Sequence, residues 1–406
     1  MLLISTPVFA AWTEPEPVFE VNSDFEEWSP FLSFDGLTLY FGRVFLPNSQ
    51  GKIFEATRDQ PVGPFTNVRE VPGTLNSFDG VISCPWVSPD NLRMYYYVQP
   101  NATEWKLMFS ERTTSSSPWP AGTEISELNT PLQRSTSPKL TEDELIIVYQ
   151  SPDRPGGYHN ISIATRSRRD LPFEHTRIIS EVCTSFNESH PYISPDGLEL
   201  YFVSNRSGLE LTYKATRASK DLPFGNVEHV SFLDNGDECS TFPFITSDGK
   251  TFYFIRYLPS KSSSRDIYVS YYYPDNSYFV DANNGDDSNS GSSPQAPVAT
   301  IHKAIDTVPE GYTIFVKPGV YNKPIDFKGK AITIQGTAGP DGLPVLEVPD
   351  DFAVLFINNE GPDSVLKNFI IKNSYMAALI VGSSPTISNV TMVDNIYGIG
   401  AIGQAN

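Results

Sequence analysis

The chain has 406 residues, 39% hydrophobic and 19% charged, so it can bury real cores and is not disordered by composition. Its 29 basic and 48 acidic residues leave a net charge of −19, which repels phosphate backbones and argues against a nucleic-acid partner. No apolar run approaches the roughly 20 residues that a membrane-spanning helix needs.

Residues 1–11 open on an apolar stretch closing with Val8-Phe9-Ala10, like the end of a secretory signal but without its basic start. They are read as a signal-peptide remnant, and the protein as exported. The three cysteines, Cys84, Cys183 and Cys239, are far apart and form no Cys-x-x-Cys pair, so unpaired thiols are expected.

Residues 12–275 repeat. Five segments share X-Pro followed five residues later by Asp: Ser29-Pro30 with Asp35, Cys84-Pro85 with Asp90, Ser137-Pro138 with Asp143, His190-Pro191 with Asp196 and Phe242-Pro243 with Asp248. The prolines are 55, 53, 53 and 52 residues apart. Between them Arg58, Arg112, Arg166 and Arg217 each precede a Pro-aromatic pair by six residues. Alternating apolar runs around Asp-Gly predict a hairpin with a tight primed turn, and each unit reads as four short antiparallel strands. A unit of this length and composition is a propeller blade, expected in five copies, or six if an upstream copy is missing. The fifth unit lacks its last strand. Trp12–Val21 resembles the missing strand and is expected to pair with Asp266–Tyr272, closing the ring and removing a sheet edge.

Ser194-Pro-Asp-Gly-Leu-Glu-Leu-Tyr-Phe202 resembles the WD-40-like propeller repeat of the TolB type. That resemblance implies a bacterial, exported platform for protein or ligand binding. Unit three departs from it, with Glu144 where the turn glycine belongs, and unit two carries Asn91 there.

Residues 276–297 form an acidic, turn-rich linker in which Asp281, Asp286, Asp287 and Asn289 could gather oxygens for Ca²⁺, although the spacing is not that of an EF-hand. From 298 the pattern changes again. Val298–Val308 reads as one helix, followed by short apolar strands that repeat at an offset of 21: Leu366 with Ile387, Asn368 with Asn389, Ala378 with Ile399. Such a period is that of a parallel β-helix, in which aligned asparagines can form a ladder. The stretch Tyr278–Gly291, the helix and Ile314–Tyr321 together resemble the start of right-handed parallel β-helix proteins of the pectin-lyase-like fold, in which a helix plugs the first coil. The expected fold is therefore all-β: a propeller, then the N-terminal coils of a β-helix over 298–406, expected to be incomplete.

Candidate chemistry is sparse. Acids precede the inner strands: Asp24, Glu26 and Glu27, then Asp79, Glu188, and Asp237 with Glu238. Near a channel mouth Glu27, Asp79, Glu188, His190 and Glu238 are candidate ligand-binding residues. A carboxylate pair there could hydrolyse a glycoside, but the acids recur in most units without a distinct acid–base pair. The pectin-lyase resemblance allows a lyase, yet Lys367, Lys372 and Asp394 match no recognised motif. The expected function is a non-catalytic exported binding protein for protein or carbohydrate ligands, its propeller monomeric. The alternative is a carbohydrate-active enzyme, a polysaccharide lyase through the coils or a glycoside hydrolase through the ring.

Overall fold

The computed structural model describes residues 11–45, 50–61, 63–101, 104–129, 134–151, 159–261, 265–337, 339 and 342–403. The signal-like residues 1–10 lie outside them. The chain divides into two compact units, one holding most of residues 14–272 and the other residues 273–406 with short N-terminal and loop additions.

The first unit is a β-propeller. Its inner strands are Glu26–Leu32, Val81–Val87, Thr136–Leu140, Glu188–Ile193 and Cys239–Ile245. Each pairs antiparallel with the strand that follows it. The inner strands touch in cyclic order, the last against the first. The ring is closed by the chain's own start: Glu16 pairs with Val269 and Pro17 with Tyr268, and the Val18 N–H donates to the Ile267 carbonyl at 2.9 Å. This is the expected pairing, over a shorter span.

The Asp-Gly segments form a different turn from the two-residue primed turn expected. The Gly36 N–H donates to the Ser33 carbonyl, and Ser33 N–H to the Thr38 carbonyl, so four residues separate the paired strands. Asp35 works as an acceptor, taking the Ser33 hydroxyl and the Leu37 N–H on one oxygen. Only the residue after the Asp is left-handed, with φ of 73° at Gly36, 58° at Asn91, 60° at Glu144, 77° at Gly197 and 68° at Gly249. The recurrent arginine holds that residue. Arg58, Arg112, Arg166 and Arg217 donate to the carbonyls of Gly36, Asn91, Glu144 and Gly197 at 2.7–2.8 Å. Each guanidinium also stacks on its Pro-aromatic ring, at 4.6, 4.0, 4.3 and 4.4 Å for Phe65, Trp119, Phe173 and Phe224. The arginine motif is thus structural.

The second unit is a β-solenoid. One parallel ladder runs Ser277–Val280, Thr313–Val316, Thr333–Gly336, Val365–Lys372, Thr386–Val393. Another runs Ile325–Asp326, Phe352–Phe356, Met376–Val381, Tyr397–Ile402. The register matches the offset read from the sequence: Leu366 faces Ile387 and Ala378 faces Ile399. Asn389 donates its amide to the Asn368 side-chain oxygen at 2.8 Å, a ladder between successive coils. The helix is shorter than expected, Ile301–Thr307, because Val298 pairs with Val280 and Thr300 is the N-cap. Ile301, Ala304 and Ile305 lie in the same buried cluster as Val280, Ile314 and Val316 of the first coils.

Candidate functional site: a cavity on the propeller axis

The residue before each repeat proline lies at positive φ: Ser29 50°, Cys84 60°, Ser137 54°, His190 47° and Phe242 52°. At each of these places the register of the inner strand slips against its neighbour. These are β-bulges. A bulge leaves a residue outside the ladder, which accommodates a proline with no N–H, and it re-aims the neighbouring side chain. A left-handed non-glycine residue costs about 1–3 kcal/mol, so its recurrence in all five repeats makes the bulge a feature of the ring.

The bulge sorts side chains into two layers. The residues after the prolines, Phe31, Trp86, Lys139, Tyr192 and Phe244, are all buried. Their rings pack together, Phe31 against Trp86 at 6.0 Å, Phe31 against Phe244 at 5.0 Å and Tyr192 against Phe244 at 5.2 Å. Four rings and one lysine therefore plug the axis. The residues before the prolines open onto space: Cys84, Ser137, His190 and Phe242 line a cavity of about 240 Å³.

The cavity wall combines rings with amides. Trp28, Trp105 and Phe242 supply apolar faces, and Gln99, Gln150 and Asn187 supply polar ones. The His190 ring lies on Phe242 with centroids 3.7 Å apart. Burial, reinforced by the positive charges of His159, Arg265 and Lys139, lowers the His190 pKa to about 3, so the imidazole is neutral near pH 7. His159 stacks on Trp105 at 6.2 Å and is also shifted down, first by burial and then by Arg134. Trp105 Nε1 and His159 Nδ1 are buried with no hydrogen-bond partner among the described residues, and neither atom is solvent-accessible. Glu210 is the single carboxylate of the wall among the described residues and accepts from the Tyr257 hydroxyl.

Of the five sequence-predicted ligand residues, His190 lines the cavity and the four acids do not. Glu27 is fully buried and accepts from the Ser23 hydroxyl at 2.6 Å and from Arg43 Nε at 2.8 Å, while burial pushes its carboxyl up. Glu188 is held the same way, by the Thr184 hydroxyl at 2.6 Å and Arg206 at 3.1 Å. Glu238 accepts from Asn235 and lies 3.6 Å from Arg256. In each case the arginine also donates to a backbone carbonyl just upstream of the strand, Val21, Val182 or Leu233. The acid and arginine thus clasp the turn leading into the inner strand. Asp79 is exposed and bonds Gln50.

The four side chains considered for Ca²⁺ each bond the backbone of their own loop or of the helix start. Asp281 accepts from the N–H groups of Asn283 and Asn284, and Asp286 from that of Ser288. Asp287 takes the N–H groups of Ala299 and Thr300 at the start of the helix, and the Asn289 amide donates to Pro297. Among the described residues no group of three or more acidic, histidine or cysteine side chains is gathered to hold a metal. Among the described residues no cysteine forms a disulfide, and Cys84 and Cys239 are buried.

Sequence reasoning missed Trp28, Trp105 and Gln150 in the wall, and Lys139 in the plug. The lysine had a signal: it is the one non-aromatic residue among the five that follow a repeat proline.

No protein-family model matches the chain, and neither does any curated protein. Solved structures do resemble it. A TolB-type protein from Agrobacterium tumefaciens superposes with a TM-score of 0.42 at 12% identity, covering 66% of this chain and 99% of that one. TolB from Acinetobacter baumannii gives 0.37 at 13% identity, over 58% and 53%. An α-L-arabinofuranosidase from Podospora anserina, solved with cellotriose, gives 0.46 at 12% identity, over 66% and 99%.

Proposed function

We propose that this is a non-catalytic carbohydrate-binding protein, exported from the cell, with the cavity on the propeller axis as its ligand site. In this reading residues 12–275 form a five-bladed, monomeric ring and residues 298–406 the first coils of a stalk or second binding surface. The observation that carries it is the composition of the cavity wall. Aromatic faces cover the apolar C–H faces of a sugar ring, while amides and imidazole nitrogens fix its hydroxyls, the usual division of labour in small-molecule pockets. At about 240 Å³ the cavity is slightly smaller than typical ligand pockets of roughly 300–1,000 Å³, a size suited to one sugar unit.

Binding is favoured over hydrolysis because glycosidases flank the bond with two carboxyl groups, about 5–9.5 Å apart. Among the described residues this wall has one, Glu210.

Calorimetric titration of the protein with neutral arabinose, xylose, galactose and their short oligomers tests the reading, with reducing-end release measured in parallel. At least one sugar is expected to bind without turnover. Gln150→Ala is expected to weaken binding about tenfold by removing one polar contact. Steady release of reducing ends would move the protein to the carbohydrate-active enzymes.

A further inference from the structure

One position of the repeat carries a different residue in every unit. Seven residues before each structural arginine stand Gly51 before Arg58, Trp105 before Arg112, His159 before Arg166 and Glu210 before Arg217. In the fifth unit Tyr272 takes the place of the arginine, its N–H donating to the Lys250 carbonyl as that of Arg58 donates to Leu37, and Arg265 is the matching residue. The repeat proline and aspartate are the same in all five units. This position holds glycine, tryptophan, histidine, glutamate and arginine, so the fold dictates none of them. Three of the five, Trp105, His159 and Glu210, come together in the cavity wall.

Glu210 differs from the other acids at the inner strands. Glu26 meets Arg265 at 3.0 Å, Glu27 meets Arg43 at 2.8 Å, Glu188 meets Arg206 at 3.1 Å and Glu238 meets Arg256 at 3.6 Å. Glu210 Oε2 accepts from the Tyr257 hydroxyl, and among the described residues no lysine, arginine or histidine lies within ion-pair distance of the carboxylate. The wall brings it no cation. Its described residues include no lysine or arginine, and its two histidines, shifted down chiefly by burial, are neutral near pH 7. Arg134 lies 5.3 Å from the Trp105 ring and Arg265 5.6 Å from the Trp28 ring, but neither is a wall residue, and Arg265 is spent on Glu26. Four rings, Trp28, Tyr97, Trp105 and Phe242, share the wall with this carboxylate. An aromatic face attracts a cation, and a carboxylate without a counter-ion gains most from a charged donor. On a molecule of net charge −19 the long-range field draws in a cation as well.

We propose that the ligand of this cavity is an amino sugar, its ammonium group held by Glu210 and its ring by the aromatic faces of the wall. The proposal rests on the carbohydrate reading of the cavity and adds the charge of the ligand. Gln99, Gln150 and Asn187 take the hydroxyls, and Glu210 takes the ammonium. Glu210 acts as a specificity-determining residue, and no covalent bond to the ligand is made or broken.

The experiment pairs each amino sugar with its neutral twin. At neutral pH, where most of the sugar amine carries its proton, the intact protein is titrated with D-glucosamine against D-glucose, D-galactosamine against D-galactose, and ethanolamine alone. Tryptophan fluorescence follows binding, since Trp28 and Trp105 are in the wall. At least one amino sugar is expected to bind about tenfold more tightly than its twin, the gain of a charge-assisted hydrogen bond over a neutral one. Glu210→Gln keeps the shape of the side chain and an acceptor for Tyr257, and is expected to erase that preference while leaving neutral-sugar binding within about twofold. If the variant does not fold, the ratio for the wild-type protein decides by itself. Equal affinity for amino sugar and twin overturns the assignment and leaves the carbohydrate reading standing. A preference that survives Glu210→Gln overturns the role of Glu210. Ethanolamine binding as tightly as the amino sugar overturns the assignment as well, by showing a cation site without sugar selectivity. No binding of any sugar overturns both readings.

Discussion

The two units of this chain handle the same problem, a repeated strand with an open edge, in opposite ways. The propeller joins its last sheet to its first through Glu16–Pro17, and its inner strands Val81–Val87, Thr136–Leu140 and Cys239–Ile245 are buried at every residue. The solenoid stacks its coils in one direction. Leu366, Phe369 and Ile371, on one of its coils, are fully buried. Closure concentrates side chains on an axis, so a ring makes a cavity and gathers buried charge. Stacking makes faces, so polar groups there form ladders such as Asn368 and Asn389. The difference explains why the candidate chemistry is in the first unit although the second resembles a fold known for enzymes.

The largest expected effect concerns the ring's buried charges. Glu144, 1% exposed, accepts from Arg93 at 2.7 and 3.0 Å and from the Tyr95 hydroxyl at 3.2 Å, with Arg169 at 3.5 Å. Glu144→Ala removes the centre of this network and is expected to cost about 3–5 kcal/mol. Glu144→Gly loses the same carboxylate but relieves the left-handed backbone, recovering about 1 kcal/mol. Denaturation followed by tryptophan fluorescence reads this well, because four of the five tryptophans, Trp28, Trp86, Trp105 and Trp119, lie in the propeller unit. Equal stability of the alanine variant and the wild type would make the arginine cluster a surface ornament.

A smaller effect appears with pH. His190 has its pKa lowered to about 3 in the folded ring against about 6.5 unfolded, so the unfolded chain takes up the proton first. The stability this site contributes is intact above pH 6.5 and is lost as the pH falls toward 3. The loss reaches about 2 kcal/mol at pH 5. His190→Asn, which tolerates the left-handed backbone, should remove that part of the pH dependence between 7 and 5. An unchanged slope would mean that the imidazole is not held neutral.

The smallest belongs to the solenoid. Asn389→Gly keeps the positive φ of 50° without steric cost and removes one ladder bond, at about 1 kcal/mol. Far-ultraviolet circular dichroism should report the shift, while the tryptophan transition stays in place. Movement of both transitions together would show that the two units unfold as one.

Much of this architecture is legible in the sequence because repetition averages out local ambiguity. The spacing of the five prolines marks the ring, and the offset of 21 sets the register of the coils to the residue. The turn was misread because Asp-Gly occurs both in two-residue primed turns and in the longer turn found here, and only the hydroxyl of Ser33 or its equivalents tells them apart. The acids stand outside the cavity wall for a related reason. Glu27 and Glu188 recur as a repeat feature, and a recurrent acid is more useful to the ring as a clasp than as a ligand site. The cavity was illegible because X-Pro gives no hint that X is left-handed, and the bulge decides which side chains reach the axis. Residues that break the repeat, Lys139 and Glu144, were the better guide to where the unusual electrostatics lie.

The central claim is that the axial cavity is where the ligand binds, and a crystal structure of the protein soaked with its tightest-binding sugar tests it most directly. The account predicts a sugar ring within the bulge layer, packed on Trp28, Trp105 or Phe242 and hydrogen-bonded to Gln150 or Asn187. A sugar bound on the coil faces, with the axial cavity filled only by water, would contradict it.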